Sequence, residues 1–157
     1  MKTSSIAMEL IEIKRNVHQK CIEKQNELLE NAKAAMDEIQ RAANEYGPPR
    51  DRYDSFRAQL LRKRDLHAEQ YEKAFKEMDF LQKLKPENQN KEVTINTIVI
   101  TSKQKFYVSI GLGKIVLPEG EFFAISPQAP IYQSLKEKTI GDSVVFNGQK
   151  ITILDLI

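Results

Sequence analysis

Two aspartates, Asp51 and Asp54, follow a glycine and a proline pair in the run Gly47-Pro48-Pro49-Arg50-Asp51-Arg52-Tyr53-Asp54-Ser55. At a spacing of three on the first turn of a helix, both carboxylates fall on one face. Two carboxylates with open coordination positions suit Mg²⁺, which keeps some of its waters and takes further ligands from a partner. A structural reading fits the same residues, with Asp51 as a helix N-cap and Asp54 beside the positive end of the helix dipole. Arg50, Arg52 and Arg57 surround the pair and offset its charge. Taken alone, the residues favour capping. The other candidates are weaker. Cys21 suits a small buried seam position, where a thiol is inert. His67 falls on a seam and His18 on the outward side, with no second ligand at metal-binding spacing. No phosphate-binding glycine loop, G-x-S-x-G or Ser/His/Asp ordering is present. The pattern is that of a protein that is not itself an enzyme.

Composition narrows the classes further. A length of 157 residues allows one ordinary domain or two small ones. With 41% hydrophobic and 29% charged residues the chain can fold, as a globule or a coiled coil. Its 24 basic and 22 acidic residues leave a net charge of +2, too little to recruit nucleic acid or membrane by field alone. A single cysteine excludes an intrachain disulfide framework and a multi-cysteine metal site. No apolar run approaches the roughly 18 residues that span a bilayer. Glu9 and Glu12 interrupt any signal-peptide core. A cytoplasmic protein without a membrane partner is expected.

The sequence divides in two. Residues 1–85 carry 17 Lys/Arg and 15 Asp/Glu, against 7 and 7 in residues 86–157, and glycine and proline concentrate in the second part. Ile6, Leu10, Ile13 and Val17 alternate in steps of four and three. Cys21, Gln25, Leu28, Ala32, Ala35, Ile39, Ala42 and Tyr46 resume the pattern. On a second segment Leu60, Arg64, His67, Tyr71, Ala74, Met78 and Leu81 repeat it. Between them Gly47 suits a helix C′ position, the prolines stop helix one, and Asp51 suits the cap of helix two. So short a loop forces an antiparallel coiled-coil hairpin over about Thr3–Leu84, turning at Gly47–Arg50. Forty-odd helical residues would make a rod on the order of 60 Å. The polar stretch 85–91 reads as a linker.

Beyond it, Val93–Thr101, Phe106–Ile110 and Phe122–Ile125 read as strands, and Gly111-Leu112-Gly113 as a turn. Asn147-Gly148, between Val144–Phe146 and Ile151–Ile157, is the strongest hairpin signal, because a type I′ turn needs positive φ at both central residues. Residues 130–137 suit one short helix. The expected fold class is α+β: a hairpin over residues 1–85, then a β-rich domain of some five strands and one helix over 91–157.

The segment from Ala129 to Val144, APIYQSLKEKTIGDSV, resembles the signature of bacterial Gre transcript-cleavage factors (the GreA/GreB type), S-P-L-G-x-A-L-x-G-K-x-x-G-D-x-V. Pro130, Leu135, Lys138, Gly141, Asp142 and Val144 match it, and Ile131 is a conservative change. Ala129, Tyr132, Ser134 and Glu137 depart. With a helical hairpin before it, the resemblance spans the whole chain, as a divergent member.

The resemblance implies an FKBP-like C-terminal domain docked at the rim of the RNA polymerase secondary channel, with the coiled coil inside the channel. It implies docking through Ser126, Pro127, Ala129, Pro130, Ile131, Tyr132 and Leu135. The tip acids would reach Mg²⁺ shared with the polymerase, whose own active centre cleaves backtracked RNA; the isolated protein would bind none. The family's tip, G-D-x-S-E-N-A-x-Y, carries two acids three apart. Matching that spacing places Asp51 and Asp54 on the pair, at the cost of a short insertion. Nucleic acid would be met only within the transcription complex. A monomer is expected, with dimerisation of the rod open. Two alternatives stand beside this one: a polymerase binder without cleavage stimulation, acting as competitor or inhibitor, and a coiled-coil adapter for an unrelated protein. A prolyl isomerase is disfavoured, since the chain has no tryptophan to floor such a pocket.

Overall fold

The computed structural model describes residues 2–157, with side chains from Ile6 onward. The fold is α+β: helices α1 (Lys2–Tyr46) and α2 (Phe56–Lys83) form a hairpin, and a six-stranded sheet with one short helix follows. The compact units divide at 23/24 and 79/80, rather than between residues 85 and 91. Residues up to Glu23 and from Phe80 onward make one unit, and Lys24–Asp79 makes the other.

Within Lys24–Asp79 the helices run antiparallel. Gln25 donates to the Ala74 carbonyl at 2.8 Å, Arg64 to Gln40 at 2.5 Å, and the Tyr46 and Phe56 rings lie 4.8 Å apart. The partner numbers fall on one helix as they rise on the other. Every expected seam position of α2, from Leu60 to Leu81, is buried or half-buried. On α1 the expected positions Cys21, Gln25, Ala32, Ala35, Ile39 and Tyr46 are buried or half-buried, but Leu28 and Ala42 are exposed and their neighbours Leu29 and Ala43 face inward instead.

In the other unit the strands are β1 (Ile98–Thr101), β2 (Lys105–Val108), β3 (Gly113–Leu117), β4 (Gly120–Ile125), β5 (Ser143–Phe146) and β6 (Gln149–Leu156). Helix α3 (Pro130–Leu135) lies between β4 and β5 in sequence. The order across the sheet is β3-β4-β2-β1-β6-β5, antiparallel except where β2 meets β4. Alternation gives the sheet two buried faces. Ile98 and Tyr107 pair in register and join a core with Val17, Cys21 and Leu81. Their neighbours Val99 and Phe106 point the other way, into a core with Ile131, Tyr132 and Leu135. The first turns of α1 therefore belong to the sheet unit, because they cover one of its faces. The Asn147-Gly148 turn is as expected, with φ of 52° and 76°. A sixth strand, β3, was hidden behind Gly113.

His18 is not outward but buried: its Nδ1 lies 2.8 Å from the Tyr107 hydroxyl, which donates to Asn96 Oδ1 at 3.0 Å. Asn96 in turn donates to the Lys85 carbonyl at 2.7 Å. The fully buried Lys14 donates from Nζ to the Asn88 carbonyl at 2.5 Å and the Ile157 carbonyl at 3.1 Å. Within this unit the stretch read as a linker is held at Lys85 and Asn88, whose carbonyls accept from Asn96 and Lys14.

Burial pushes the Lys14 pKa down to about 8, against the pull of Glu87. In the unfolded chain a lysine titrates near about 10.4, so between these values the unfolded state binds more protons and stability rises with pH. From pH 8 to 10 denaturant unfolding should show a gain of about 2 kcal/mol, absent from Lys14→Met. Above that window Tyr107, whose pKa burial raises, opposes the gain. A wild-type profile as flat as that of the variant would disprove the assignment.

Candidate functional site

The turn between α1 and α2 spans residues 47–55, because α2 starts at Phe56 and not behind Asp51. Gly47 has φ of +79°, and its N–H returns to the Ala43 carbonyl at 3.1 Å, closing α1. Asp51 caps no helix. Its Oδ1 accepts the Tyr53 N–H at 2.8 Å, and its carbonyl accepts the Asp54 N–H at 3.2 Å. That Asx turn forms because Asp bonds its own backbone two residues on. Asp54 closes a second one, its Oδ1 accepting the Phe56 N–H at 3.1 Å. Both acids therefore precede the helix rather than lying on one face of it.

Their commitments differ. Asp54 Oδ2 also accepts the Tyr46 hydroxyl at 2.5 Å and the Arg50 N–H at 2.9 Å. The Arg50 N–H first, then Tyr46 and Phe56, hold the Asp54 carboxyl below the usual carboxylate range. A carboxylate has about four lone-pair positions, so Asp54 keeps one. The Asp51 carboxylate accepts one hydrogen bond among the described residues, at Oδ1, and none at Oδ2. Among the described residues neither acid has a Lys or Arg nitrogen within ion-pairing distance. The arginines go elsewhere. The Arg50 guanidinium lies 4.6 Å from the Tyr46 ring centre and that of Arg52 4.7 Å from Tyr53. These cation–π contacts orient Arg50 and Arg52 without cancelling their charge, and the Arg50 guanidinium still helps to lower the Asp54 pKa. Among the described residues no cluster of three or more His, Cys, Asp or Glu could hold a metal, so Mg²⁺ here needs ligands from outside.

The Tyr46–Asp54 bond is present above the carboxylate range and is lost as pH falls through the lowered pKa of Asp54. Tyr46→Phe should raise that pKa, read from the side-chain carboxyl carbon by NMR titration. An unmoved value would mean that the bond does not form.

The expected docking segment is corrected by its burial. Ile131 is 9%, Tyr132 4% and Leu135 1% exposed, all in the core between α3 and the sheet. They pack inward because the apolar side of the short α3 is what holds it against the sheet. Ser126, Pro127 and Ala129 are half-buried and Pro130 is exposed. Gln133 Nε2 donates to the Pro127 carbonyl at 2.7 Å and fixes that loop. The surface this segment offers is the loop with Pro130 and Gln133 on the outer side of α3, while Ile131, Tyr132 and Leu135 are withdrawn into the core.

What the residue pattern missed was the pairing of Tyr46 and Tyr53 with the arginines. Aromatic and arginine residues alternating in a short turn were the available signal. No helix among the described residues is long and apolar enough to cross a membrane. No protein-family model matches the chain, and no curated protein matches it. Among solved structures it is similar to GreA factor homolog 1 (Gfh1) of Thermus thermophilus, at 14% identity over 87% of this chain and 94% of that one. The TM-score of 0.33 is too low to establish a shared fold.

Proposed function

We propose that this protein is a Gre-like transcription elongation factor, an accessory protein acting through the active centre of RNA polymerase. In this reading the hairpin enters the secondary channel, and the sheet unit docks at its rim through Ser126, Pro127, Ala129 and Pro130. The tip then lends carboxylate oxygens to Mg²⁺ shared with the polymerase, which cleaves backtracked RNA. Support comes from the motif between Pro130 and Val144 and from the helical hairpin that precedes the sheet. The observation that carries the chemistry is the tip itself, where Asp51 keeps Oδ2 open and no arginine pairs with it. A second reading is favoured by Asp54, whose three donors leave it little capacity for a metal. In that case the protein occupies the channel without stimulating cleavage. RNA cleavage by stalled elongation complexes, with and without the protein, separates the two.

A further inference from the structure

The charges of the hairpin are placed unevenly along its length. Arg64 bonds Gln40 across the two helices, and that level divides the unit Lys24–Asp79 into a tip and a shaft. In the tip, residues 41–64 carry seven Lys/Arg and three Asp/Glu, a net charge of +4. In the shaft, residues 24–40 and 65–79 carry four and nine, a net charge of −5. The whole chain stands at only +2, so its total conceals this polarity. A hairpin charged in this way is complementary to a second copy lying beside it in the opposite direction.

The outer face of α2 repeats the division residue by residue. Arg62, Leu66 and Glu69 follow at steps of four and three, which puts them on one face of the helix. All three are exposed, Leu66 by 58%, whereas Arg64, His67 and Tyr71 are half-buried along the seam. Neither Arg62 nor Glu69 has an ion pair among the described residues. A two-fold axis at Leu66 would set the leucines of two copies against each other. Arg62 of one copy would then lie about 6 Å along the helix from the centre, and Glu69 of the other about 4.5 Å on the same side. From Leu66, α2 runs ten residues back to Phe56 and thirteen on to Asp79, about 15 and 20 Å, so each basic tip would lie along the other acidic shaft. We infer that the hairpin pairs with a second copy of this chain, antiparallel and side by side, through Leu66 and two reciprocal Arg62–Glu69 pairs. The occupant is a second copy because the face, once reversed, is complementary to itself. A polyanion would use the tip and leave the acidic shaft unmatched. The pairing does not rest on the polymerase reading, and any partner that takes this face competes with the second copy.

Sedimentation equilibrium of the full chain tests the pairing. At low salt the average mass should rise from that of one chain towards that of two, with Kd on the order of 0.1 mM, as befits exposed ion pairs around one leucine. Raising the salt from about 50 to about 500 mM should weaken association at least tenfold. Arg62→Glu and Glu69→Arg each set like charges against one another and should each weaken it by about tenfold or more. The double variant should return to within about threefold of wild type, because the reversed pairs match again. Both positions are exposed, so neither change disturbs the fold. A chain that stays monomeric up to about 1 mM at low salt overturns the inference, also where its tip then binds a thymidine octanucleotide. So does a double variant no better than the single ones, or a dimer indifferent to salt.

Discussion

Asp51→Asn should return stimulated RNA cleavage to the unstimulated rate, a loss of about tenfold or more, while leaving polymerase affinity within about twofold. Under the proposed function the two effects separate, because binding area would lie along the hairpin and the loop at Ser126–Pro130, whereas charge at the metal would matter only in the reaction. Asparagine keeps the one oxygen that the Tyr53 N–H needs, so the turn survives. The same change at Asp54 is less clean. Asp54 uses both oxygens, and an amide cannot accept from Tyr46, Arg50 and Phe56 together. Asp54→Asn should therefore loosen the tip as well as remove charge. Cleavage unchanged in Asp51→Asn would reduce both acids to turn-forming residues and leave the channel-occupying reading in place.

The largest stability effect is expected at Tyr107. Its ring is fully buried between α1 and the sheet, and its hydroxyl joins His18 to Asn96. Truncating a buried aromatic costs about 3–5 kcal/mol, and stranding two polar partners adds to it, so Tyr107→Ala should lose about 5 kcal/mol or unfold the sheet unit. Tyr107→Phe keeps the ring and isolates the hydroxyl, at about 1–2 kcal/mol. Denaturant midpoints for the pair measure the difference. Equal losses in both variants would contradict this division between packing and hydrogen bonding.

Sequence periodicity gave the hairpin because both flanks of Pro48-Pro49 carry the same apolar spacing. Its errors have local causes. Leu28 and Leu29, like Ala42 and Ala43, are adjacent and equally apolar, so pattern alone cannot choose which faces inward. The start of α2 was ambiguous because Asp51, Asp54 and Ser55 are all capping residue types. Only the turns closed at Tyr53 and Phe56 decide it. His18 looked outward because the seam was drawn for a two-helix rod. The sheet packs on α1 from a second direction and buries it. Ile131 and Tyr132 looked available for docking because a six-residue helix does not reveal its inner face. The motif identified the segment but not which of its atoms reach solvent. At the tip the acids and arginines were visible from sequence, while the stacking of Arg50 and Arg52 on tyrosine rings depends on side-chain geometry.

RNA cleavage in stalled, backtracked elongation complexes tests the central claim most directly. With wild-type protein and Mg²⁺, the account predicts cleavage accelerated by at least about tenfold and restored to the unstimulated rate by Asp51→Asn. A protein that neither binds the polymerase at micromolar concentration nor changes the cleavage rate would contradict it.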